Sequence, residues 1–190
     1  MLAYVNPFCA KRCCFVKKRI TFVKVVNILE LRVENKNGKQ HVFDVFRQKW
    51  VTLTPEEGVR QQFCHFLVDA KSYPQICIAN ECTLSINGQS QRCDTVVYSK
   101  GAPVMLVEYK APSVKITQDV INQALRYNTQ LHVPYLVVTN GIDTYCFSIN
   151  YQTLKATPLT DIPEYGSLWS VDSMIIRTSY SSVRRWIDFQ

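Results

Sequence analysis

Residues Arg92–Pro112, "RCDTVVYSKGAPVMLVEYKAP", hold two apolar runs separated by Lys100-Gly101. Runs rich in valine and aromatic residues on either side of a glycine-containing turn predict two adjacent β-strands. Three charges interrupt the pattern: Asp94 inside the first run, and Glu108 and Lys110 at the end of the second. Side chains alternate between the two sides of a strand, so Leu106, Glu108 and Lys110 share one face and Val107 and Tyr109 the other. Asp94, in the preceding strand, is close enough across the sheet to join Glu108 and Lys110. Burying one carboxylate without a partner is costly, and burying two side by side is worse unless a cation lies between them.

A lysine supplies one positive charge only. Two carboxylates converging at a strand end suit a hard divalent cation such as Mg2+, which takes oxygen ligands and keeps waters for a phosphate-bearing substrate. Lys110, two residues past Glu108 on the same face, is then placed to position or deprotonate the water that attacks a phosphodiester, or to stabilise charge on the phosphorus. The same three residues also suit a structural ion-pair cluster at an exposed strand end, because D...E-x-K alone is a pattern of low specificity.

Upstream, in "TLTPEEGVRQQFCHFLVDAKSYP", Thr54 can cap a helix with Pro55 in its first turn and Glu57 placed to close a capping box. This predicts a helix over residues 55–71. Val59, Phe63, Phe66 and Leu67 fall on one face, with Glu56 one turn before Val59 on that face and Glu57 pointing elsewhere. Between this helix and Arg92, "ICIANECTLSI" and the turn residues Asn87-Gly88 predict a further strand, making a three-stranded meander. Downstream, "ITQDVINQALRYNTQL" spaces Ile116, Val120, Ala124 and Leu131 for a second helix over 116–131. Gln123 and Tyr127, four apart, share one face of it. "PYLVVTN", Asn140-Gly141 and "DTYCFSINY" then predict two more strands, and Asn37-Gly38 marks a hairpin ahead of the first helix. Helix, three strands, helix, strand implies an α/β fold whose central mixed sheet is flanked by helices.

A chain of 190 residues has room for about one domain, so no ATP-driven translocation motor is expected in it. The net charge of +7 is uneven. Lys11, Arg12, Lys17, Lys18, Arg19 and Lys24 precede every acidic residue, and without them 16 Lys and Arg face 15 Asp and Glu, so the body of the chain is nearly neutral. We therefore expect a basic extension over 1–28, a folded domain over 29–165 and a tail over 166–190. Eight cysteines form no C-x-x-C pair, which argues against a structural zinc site and for buried thiols in a reducing cytosol. The apolar pieces of the N-terminus are broken by Lys and Arg and make a poor signal peptide, and no apolar run reaches membrane-span length. A soluble, cytoplasmic protein without a membrane partner is expected.

Glu56, Asp94, Glu108-Tyr109-Lys110 and Gln123-x-x-x-Tyr127, in an α-β-β-β-α-β order, resemble the PD-(D/E)xK nuclease superfamily and its restriction-endonuclease-like core. The segments "FDVFRQKWVTLTPEEGVRQQFCHFLV", "NECTLSINGQSQRCDTVVY", "MLVEYKAP" and "YLVVTNG" are similar to the N-terminal nuclease domain of the type I restriction enzyme R subunit in its free-standing form. The resemblance covers roughly residues 30–165. It implies an Mg2+-dependent deoxyribonuclease, with Mn2+ as a substitute. Asp94 and Glu108 would be metal ligands, the Tyr109 carbonyl would add an oxygen, and Lys110 would serve the attacking water. Glu56 would join the metal site directly or through water, although Glu81 competes with it as the additional acidic residue. Gln123 and Tyr127 would brace the site or touch the DNA backbone. DNA, other restriction or defence subunits, and a second copy of the chain for a double-strand cut are the partners implied.

Cys93 departs from the proline of the superfamily name, at a position that supplies no ligand. Two other readings stay open. One is a non-catalytic nucleic-acid-binding module working with a partner protein; the other is a basic interaction protein in which residues 1–28 do the binding.

Overall fold

A computed structural model describes residues 20–21, 31–86 and 89–169. Most of the expected basic extension, the Cys9, Cys13 and Cys14 cluster, the Asn87-Gly88 turn and the tail beyond residue 169 lie outside the described residues. In chain order the elements are β1 (Ile20–Thr21), β2 (Val33–Lys36), β3 (Lys39–Asp44), β4 (Lys49–Thr52), α1 (Pro55–Lys71), β5 (Ile78–Ile86), β6 (Gln89–Ser99), β7 (Ala102–Tyr109), α2 (Gln118–Leu131), β8 (Tyr135–Thr139), β9 (Asp143–Asn150) and β10 (Lys155–Pro158). Short 3-10 turns occupy Gln75–Cys77 and Tyr165–Trp169.

The first helix starts where the sequence places it. Thr54 is extended, and its hydroxyl accepts the Glu57 N–H at 3.1 Å, which satisfies one of the amides left over at a helix start. Ser72 closes the helix in the left-handed region. The second helix begins at Gln118, two residues later than expected, because Thr117 is extended and serves as the flanking cap residue. Ile116 still buries its side chain, in the same cluster as Ile121, so it staples the helix entry from outside.

The main sheet has seven strands in the order β1-β9-β8-β7-β6-β5, with β10 also paired to β9. β7 and β8 run parallel, joined through α2, and every other pair is antiparallel, so the sheet is mixed as expected. Alternation sorts its side chains into two cores. Met105, Val107 and Tyr109 of β7, with Tyr135 and Val137 of β8, pack with Val59, Phe63 and Leu67 of α1. Leu106, Leu136 and Val138 pack with Ile121, Ala124 and Leu125 of α2. A helix on each side explains why β8, "YLVVT", is buried at every position.

A smaller antiparallel sheet, β2-β3-β4, precedes α1. Asn37 and Gly38 both take positive φ, 52° and 74°, as a tight hairpin of primed type requires. β4 and β10 go beyond the sequence reading. Both are four-residue strands, too short to show a period of their own. Among the described residues no helix is long and apolar enough to cross a membrane.

Candidate functional site

Thr95 pairs with Val107 near the end of the β6–β7 ladder, and the same register sets Asp94 opposite Glu108. Like charges directly opposite on neighbouring strands repel. Asp94 is anchored by its Oδ2, which accepts the Tyr109 N–H at 3.0 Å. Glu108 accepts from Lys110 Nζ at 2.9 Å, and both side chains keep 27% exposure, so this pair borders solvent. The Lys110 N–H donates to the Thr139 carbonyl at 2.9 Å, which carries the β7–β8 pairing one residue further and fixes where the lysine emerges.

The electrostatics follow from the crowding. Burial raises the Glu108 pKa, and the Asp94 charge raises it further, more than Lys110 lowers it. Burial opposes the Lys110 ammonium, but Glu108, Asp94 and Glu56 outweigh that and raise its pKa above the ordinary lysine value. Glu56, in the first turn of α1, is within electrostatic reach of both groups. The Tyr109 ring goes to the other side, against Phe63 and beneath Arg60, with its hydroxyl 3.6 Å from Cys64 Sγ. Only the Tyr109 backbone can serve the acidic site.

Beside Asp94 lies a cation that the sequence did not point to, Arg60. This guanidinium, 3% exposed, donates to Asp94 Oδ1 at 3.3 Å and to Glu81 Oε1 at 3.1 Å, and also bonds Glu57. Glu57 corrects the helical-wheel expectation: it is buried and bonded by Arg47, Arg60 and Gln61, while Glu56 is only partly buried. The reason is that the turn between β3 and β4 packs Phe46 against His65 of α1 and brings Arg47, paired with Asp44, against Glu57. Glu81 holds a left-handed backbone, φ 49°, inside β5, and its carboxylate meets Arg47 at 3.6 Å as well as Arg60 and Arg92. Such a conformation in a non-glycine residue is sparsely populated and persists where its surroundings enforce it. The one local signal for Arg60 was an arginine next to Val59 on the apolar face of α1.

Gln123 and Tyr127 do share a face of α2. Gln123 Nε2 lies 3.5 Å from the Tyr127 hydroxyl, Tyr127 is 44% exposed, and among the described residues neither bonds to Asp94, Glu108 or Lys110. The structure thus brings together Asp94, Glu108, the Tyr109 backbone and Lys110, keeps Glu56 within electrostatic reach, and leaves the α2 pair as a separate, solvent-facing element.

Among the described residues no group of three or more His, Cys, Asp or Glu side chains is arranged to enclose a metal ion. What the site offers is smaller: two carboxylates on facing strands, a backbone carbonyl and a nearby glutamate. That donor set fits a hard cation that retains several waters. Alongside lies a cleft of about 380 Å³ whose lining includes Arg47, Trp50, Thr52, Glu56, Arg60 and Glu81.

A family model described as the type I restriction enzyme R protein N terminus matches residues 55–163, from the first residue of α1 to beyond β10. Among solved structures, a fragment assigned to an HsdR subunit of a type I restriction enzyme from Vibrio vulnificus YJ016 matches with a TM-score of 0.47 and 20% identity, over 62% of this chain and 25% of that one. This chain therefore spans about a quarter of that relative's length. No curated protein matches.

Proposed function

We propose, because the chain belongs to the type I restriction enzyme R protein N-terminal family, that it is a metal-dependent endonuclease hydrolysing DNA phosphodiester bonds. The order α1-β5-β6-β7-α2-β8 is read as a restriction-endonuclease-like core. The observation that carries the activity is the cross-strand placement of Asp94 against Glu108 with Lys110 bonded beside them.

In this reading Asp94, Glu108 and the Tyr109 carbonyl hold Mg2+, or Mn2+ in its place, and Glu56 contributes directly or through water. The bound cation would act as a Lewis acid on the phosphate and lower the pKa of a coordinated water. The Tyr109 N–H and Arg60 hold the Asp94 carboxylate in place at the strand end. Lys110 is held protonated by the carboxylates around it, so it donates to a phosphate oxygen or orients the attacking water. Gln123 and Tyr127 offer an amide and a phenol to the DNA backbone from the face of α2. Cleavage of both strands by one site per chain calls for two protomers or for other subunits of a restriction system.

One observation favours the alternative of a non-catalytic DNA-binding module: Arg60 and Lys110 already bond Asp94 and Glu108. Supercoiled plasmid incubated with Mg2+, Mn2+ or EDTA separates the two. The nuclease reading expects metal-dependent nicking that disappears in Lys110→Ala. Equal inertness of wild type and variant, with DNA still retained in a gel shift, would replace it by the binding module.

A further inference from the structure

The small sheet carries a stack of side chains that the acidic site does not use. Phe43 and Trp50 are direct partners across β3 and β4, on the face opposite the buried Val42 and Asp44. Their rings meet edge to face with centroids 5.5 Å apart, and both remain partly exposed. The Arg32 guanidinium lies 5.2 Å from the Phe43 centroid and 5.6 Å from that of Trp50, and Lys36 Nζ lies 5.3 Å from Trp50. A backbone bond from the Phe43 N–H to the Arg32 carbonyl, 2.9 Å, holds the arginine in place beside the rings.

The surrounding charge is mostly positive. Over residues 31–52 the acidic side chains are Glu34, bonded to Lys36, and Asp44, bonded to Arg47. Arg32, Lys39 and Lys49 make no ion pair among the described residues, and all three are exposed. A partly exposed aromatic pair flanked by cations complements a polymer that alternates flat rings with phosphates. The position is informative as well: Trp50 and Lys49 also line the cleft that holds Glu56, Arg60 and Glu81. A strand lying on these rings would therefore lead toward Asp94 and Glu108. This sheet precedes residues 55–163, the part that the family model matches.

We propose that this face is a stacking platform for an unpaired stretch of DNA, with Trp50 taking a base and Arg32 and Lys36 taking flanking phosphates. The choice of DNA rests on the function proposed above; the unpaired state rests on the rings. Duplex bases hide their faces in the stack, whereas each base of a single strand offers one to an aromatic side chain.

The test is fluorescence anisotropy of the full chain with a labelled oligothymidylate and with a duplex of equal length, in EDTA so that cleavage plays no part. The expected result is preference for the single strand, weakened about tenfold or more in Trp50→Ala and largely kept in Trp50→Phe. Arg32→Gln and Lys36→Gln should each flatten the slope of log affinity against log salt by about 0.7. These two exposed positions keep the test decisive should Trp50→Ala fail to fold. Absence of single-strand binding by wild type, preference for duplex, or affinities and salt slopes unchanged across the variants would overturn the platform. Plasmid cleavage run in parallel separates the two proposals: metal-dependent nicking with unaltered Trp50→Ala binding removes the platform alone, and a Trp50-dependent affinity without nicking removes the nuclease alone.

Discussion

Arg60 on α1 donates to Asp94 on β6 across 3.3 Å, and the same guanidinium is shared with Glu57 and Glu81. One buried cation therefore joins the first helix to two strands of the main sheet. Burial opposes its charge, but Glu57 first and then Asp94 outweigh that and raise its pKa above the ordinary arginine value.

Removing that cation takes from Asp94 its charged partner among the described residues and leaves the buried Glu57 to Arg47 and Gln61. Arg60→Ala is expected to destabilise the fold by about 3–5 kcal/mol, the usual cost of breaking a buried pair from one side. Urea unfolding followed by circular dichroism checks this. A loss below about 1 kcal/mol would show that water reaches Glu57 and Asp94 and that the network is not structural.

Glu108 gives a pH prediction of definite sign. Burial and Asp94 raise its folded pKa above the unfolded value, so the folded state binds this proton more tightly. The stability it contributes is present below the unfolded glutamate range and is lost as pH rises from there through the raised folded pKa. Glu108→Gln mimics the protonated form, so in EDTA its Tm should exceed that of wild type at neutral pH and converge with it in acid. A variant that melts lower than wild type at neutral pH would contradict this.

Thiol chemistry reports on the core beneath the site. Burial pushes the Cys64 thiol up to about 11 and the Cys146 thiol up to about 12. Since the thiolate is the nucleophile, both should resist iodoacetamide at pH 8 in the folded protein and react on unfolding. Peptide mapping by mass spectrometry after a timed pulse distinguishes them from Cys77 and Cys82, which are partly exposed.

The parts of the fold that the sequence made legible are those governed by local rules. Thr54 announced α1 because a cap and its first turn are contiguous, and Asn37-Gly38 announced a hairpin because only certain residues accept positive φ. Alternation in "VMLVEYK" separated Glu108 and Lys110 from the Tyr109 ring, which the structure buries against α1. What stayed hidden depended on partners distant in sequence. Arg60 meets Asp94 over a gap of 34 residues, and Arg47 meets Glu57 because the turn between β3 and β4 packs against the helix. A helical wheel sees one element at a time, and it therefore turned Glu57 away from the interior. The capping box failed in the same way: the Glu57 carboxylate had arginines to satisfy and did not close it.

If Asp94 and Glu108 together hold a divalent cation, as proposed, thermal melting of the protein responds to Mn2+. A ligand that binds only the folded state raises Tm by mass action, by about 2.7 kcal/mol of stabilisation at a hundred times its Kd. Wild type should melt higher in Mn2+ than in EDTA, and Asp94→Asn and Glu108→Gln should each lose that increment while remaining folded. An increment that survives in both variants, or is absent from wild type at millimolar metal, would contradict the account.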